Sequence, residues 1–130
     1  MCFYRISKHK CSDTPITVYK VMRKVSPDCV NSVYYPALKP YLVGEKIVAS
    51  HSQASTKLMD MAFALDKEIV HAYQTLDRAE ESMLRMGYFI SQLIGNLVIV
   101  KCEIPSGAEY WLGSGEEIGA RELKIVSINN

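Results

Sequence analysis

A chain of 130 residues, 48% apolar and 22% charged, is long enough to bury one core without disulfide or metal support and too apolar to stay disordered. Its net charge of +1, with no clustered basic stretch, excludes the electrostatic footprint of a nucleic-acid or acidic-membrane binder. No run approaches the roughly 18 apolar residues that a membrane helix requires.

The opening residues, MCFYRISKHKC, carry no apolar segment of the secretory-signal kind, so a cytoplasmic location is expected. Cys2, Cys11, Cys29 and Cys102 form no CxxC pair and no Cys/His spacing suited to zinc. Reduced thiols and no metal site follow as expectations.

In chain order, residues 1–13 read as a loosely ordered terminus with a short strand at Cys2–Ile6 as the alternative. Ile16–Val25, ITVYKVMRKV, is a β-branched and aromatic run that predicts a strand. Tyr19, Val21, Arg23 and Val25 fall on one face, Val18, Lys20, Met22 and Lys24 on the other. Pro27, Pro36 and Pro40 punctuate the next stretch and predict a connecting loop. YLVGEKIVAS then reads as one strand interrupted at Gly44 or as a short hairpin.

Leu58, Met61, Ala62 and Leu65 have helical spacing and suggest a short helix. EIVHAY predicts a strand with Ile69, His71 and Tyr73 on one face. A principal helix is predicted over about 75–87: Thr75 is placed to accept a first-turn amide, and Asp77, Glu80 and Glu81 suit the positive end of the dipole. Leu76, Ala79, Met83 and Leu84 form its apolar stripe, and Gly87 is its expected stop. Residues 88–95 are open between a further helical turn and a covering loop.

LVIVKCEI predicts a strand with Val98, Val100, Cys102 and Ile104 facing the core. Pro105-Ser106-Gly107 suits a type I turn, AEYWL a strand, GSGEE a loop and RELKIVSI the closing strand. The expected fold is a single α+β domain over 1–130, mostly antiparallel sheet with one principal helix and room for one or two short ones.

Walker, GxGxxG, HExxH and GxSxG motifs are absent. Gly113-Ser114-Gly115 lies between strands, without the helix dipole a phosphate cradle uses. His71, beside Tyr73 at the strand-to-helix junction, is placed as a structural residue or as a ligand contact at the strand's end. Glu116 and Glu117 are paired loop carboxylates that become acid/base candidates only beside a histidine or arginine.

VYKVM, HAYQTLDRA and VIVKCEIPSGAEYWLGSGEE, in that order, resemble a group of small uncharacterised proteins of gut bacteria and their phages. Val70 stands where that group has glycine before the histidine. The same order is more distantly similar to the ADP-ribosyltransferase fold. That resemblance implies NAD as cofactor, with Arg23 or Lys20 holding its ribose or phosphates and Tyr73 stacking on the nicotinamide. Glu116 or Glu117 would support the oxocarbenium-like centre, and His71 would join the cofactor contacts.

The Ser-Thr-Ser triplet and the Glu-x-Glu or Gln-x-Glu pair of that fold are absent. A small non-enzymatic binding or interaction module, using Tyr34, Tyr35, Tyr110 and Trp111 as exposed aromatics on a protein partner, is therefore the first expectation. It needs no cofactor. An NAD-dependent transferase-like enzyme, or an inactive relative, is the alternative.

Overall fold

The computed structural model describes residues 6–33, 39–48, 70–89, 96–113 and 115–129. Its spine is a pair of strands, β2 (Ile16–Ser26) and β7 (Leu97–Ile104), antiparallel and in unbroken register from Ile16 opposite Ile104 to Arg23 opposite Leu97. Both segments are rich in β-branched and apolar residues, and their alternate positions Val18 and Met22, and Val98, Val100, Cys102 and Ile104, fall on one buried face.

Around this spine the other strands add in antiparallel fashion. They are β1 (Ile6–Cys11), β3 (Cys29–Asn31), β4 (Tyr41–Leu42), β5 (Lys46–Val48) and β6 (Val70–Tyr73), then β8 (Glu109–Gly113), β9 (Glu117–Ala120) and β10 (Glu122–Asn129). The order across the sheet is β1-β8-β9-β6-β2-β7-β10-β5, with β3 on β2 and β4 on β3. The single helix among the described residues, α1 (Leu76–Phe89), follows β6 directly.

The inner face of the sheet holds the main core. Val18 and Met22 of β2 lie across from Cys102 and Val98 of β7. They join Val70 and Ala72, Ile118 and Ala120, Leu123 and Ile125, Ile47 and Val30 in one contiguous buried cluster. Burying a side chain of the Val, Leu or Ile kind stabilises by about 1.5–3 kcal/mol, so this cluster is the main source of cohesion.

The outer face is divided. Its centre lies under α1, where Tyr73, Ala79 and Ile99 pack with Tyr19 and Met83. Towards β5 it is polar, with Lys46 3.6 Å from Glu122 across the pair of strands.

Several expectations are corrected. The terminus is a strand from Ile6 to Cys11, paired along β8. The stretch punctuated by Pro27, Pro36 and Pro40 contains β3, and Val30 of β3 is fully buried. β4 and β5 are neither one strand nor a hairpin, because they pair with β3 and β10 respectively.

The turn after β7 is type II: Ala108 N–H donates to the Pro105 carbonyl at 3.1 Å, and Gly107 at the third position has φ +81°. The helix passes through Gly87 to Phe89. Its buried line is Ala79, Ser82 and Met86, while Leu84 is 74% exposed. Glu117 belongs to a strand, β9, and is buried. Trp111, expected on the surface, is 3% exposed, and Tyr110 is half-buried. The short helix expected over 58–66 and residues 90–95 lie outside the described residues, as do Tyr34 and Tyr35.

Candidate functional site

The β6-to-α1 junction and the β8–β9 turn meet at the start of the helix. Thr75 caps α1, its Oγ1 accepting the Arg78 N–H at 3.2 Å. The Thr75 hydroxyl in turn donates to the Glu116 carboxylate at 2.7 Å, and Gln74 N–H donates to the Glu116 carbonyl at 2.9 Å. Arg78 closes the arrangement, with Nε donating to the Gly115 carbonyl at 2.8 Å and a guanidinium carbon 5.4 Å from the centre of the Tyr73 ring.

Gly115 and Glu116 both adopt φ +64°. The left-handed region is routine for glycine and costs an L-residue about 1–2 kcal/mol. Glu116 is held there by its two bonds to the helix cap. A Cβ on Gly115 would lie 3.1 Å from the Arg78 guanidinium, so a larger residue there would have to displace that side chain slightly as well as adopt the left-handed backbone.

Register brings the expected residues together in part. Tyr73 is abreast of Glu117 on β9 and of Tyr19 on β2. His71, two residues earlier on the same face, is abreast of Gly119, which is abreast of Trp111. Glu116 lies on the turn beside them. Arg23 lies elsewhere: it is four residues along β2 from Tyr19, about 13 Å at the rise of a strand, and is abreast of Leu97 and Asn31.

Tyr73 is 4% exposed and its hydroxyl is 2.9 Å from Ser82 Oγ. Burial pushes its phenol above the ordinary value. The Glu117 carboxylate pushes the same way, while the Ser82 bond and the Arg78 charge oppose. The ring is therefore a neutral, packed side chain between sheet and helix.

On the other face of β2, Lys20 occupies a position whose neighbours are apolar. Its Nζ donates to the His71 carbonyl at 2.9 Å, and burial pulls the ammonium down to about 8. Across on β7 burial pushes the Cys102 thiol up to about 12, with the Lys20 charge opposing. A thiol so far from ionising is a core group, not a nucleophile.

Thr75 was legible as a cap from its place before LDRAEE. Arg78 and Ser82 gave no such signal, since their partners come from the β8–β9 turn and from β6. Among the described residues no group of three or more His, Cys, Asp or Glu could hold a metal ion, and no helix is long and apolar enough to cross a membrane.

Compared with models of protein families, with curated proteins and with solved structures, the chain matches none. The resemblances described above rest on the quoted segments.

Proposed function

We propose that the chain is a small non-enzymatic binding module built on a rigid antiparallel sheet. The observation that carries this reading is the commitment of Tyr73. Its ring is 4% exposed beneath α1, its hydroxyl is bonded to Ser82, and Arg78 covers it. A ring in that state offers no free face for a nicotinamide. Glu116 is likewise engaged, its carboxylate on the Thr75 hydroxyl.

Surface for a partner exists at the other end of β2. Val25, Leu42 and Val43 are 46%, 47% and 52% exposed. Cys29 pairs with Ser26 on β2 and with Leu42 on β4, and Val25 sits in the register shift just before Ser26.

One observation favours an NAD-consuming enzyme of the ADP-ribosyltransferase kind as the second reading: His71, Tyr73 and Glu117 share one face of two adjacent strands. Thermal unfolding in millimolar NAD separates the two. A bound cofactor at ten times its Kd adds about 1.4 kcal/mol of stability, and the binding-module reading expects no change. A rise in Tm that is lost in Glu117→Gln would overturn the module in favour of the enzyme.

A further inference from the structure

We draw no further inference here: the strongest candidate, the exposed apolar patch of Val25, Leu42 and Val43 at the end of the sheet where β2, β3 and β4 meet, belongs to the surface already described, and nothing in the structure shows what covers it.

Discussion

Lys20 stands where the alternation of β2 calls for an apolar side chain, and that conflict makes stability depend on pH. A lysine whose folded value lies near 8 instead of 10.5 binds its proton more tightly in the unfolded chain. Between those values the unfolded state holds a proton that the native state lacks, so stability rises with pH. Below 8 the burial cost of the ammonium is fully present, about 3 kcal/mol at about 1.4 kcal/mol per pH unit. Cys102 acts in the opposite sense: its thiol, ordinarily 9.0 and here about 12, ionises first in the unfolded chain, so stability falls from pH 9 upward. Tyr73, also raised, adds to that fall above pH 10. Urea unfolding should therefore show a gain of about 1 kcal/mol from pH 7 to pH 9, then a plateau and a decline. Lys20→Met should remove the gain and keep the decline. A wild-type midpoint that is flat from pH 7 to 9 would mean that Lys20 is hydrated in the folded chain.

The turn between β8 and β9 and the start of α1 act as one latch. Replacing Glu116 by glycine relieves the left-handed residue by about 1 kcal/mol and gives up a hydrogen bond worth about as much. In the wild type the two effects offset one another, and Glu116→Gly should be close to neutral. Once Thr75→Ala has removed the partner, at a cost of about 1 kcal/mol for the cap itself, only the relief remains. Glu116→Gly should then stabilise by about 1 kcal/mol, and a double-mutant cycle by chemical denaturation reads the coupling directly. Additive effects would show that the latch contributes nothing.

The same elements show what was readable in the chain. β7 was legible to the residue, because LVIVKCEI is an apolar, β-branched run bounded by Asn96 and Pro105. The cap at Thr75 was legible because capping is local. β9 was not: Glu-Ile-Gly-Ala is short, carries a central glycine and buries a glutamate. Its strand character comes from β6 and β8 on either side. The pairing of Tyr73 with Glu117 was out of reach for the same reason, since register between distant strands is set by non-local packing. Arg23 shows the converse: it lies on the strand expected for Ile16–Val25, but its distance along β2 from Tyr19 was not contained in residue type or segment order.

At the scale of the whole molecule the sheet falls into two blocks, β1-β8-β9-β6 and β2-β7-β10-β5. Within the second block β2 and β7 are in register over eight residue pairs, whereas β6 meets β2 at one. The joint between the blocks is completed by side chains: Lys20 reaches the His71 carbonyl from the inner face, and α1 bridges on the outer face through Ala79, Tyr73, Ile99 and Tyr19. Local opening follows the weakest cooperative boundary, so the joint should part before the spine does. Ala79, fully buried at the helix contact, is the place to press on it. Ala79→Leu overpacks that contact at a cost of about 1–3 kcal/mol without touching either block's inner core. Native-state hydrogen exchange on this variant should show β6 and β9 amides losing protection while those of β2 and β7 still exchange through global unfolding. Equal loss across all four strands would mean that the inner cluster, continuous from Ile118 to Ile125, binds the blocks into a single unit whatever happens beneath the helix.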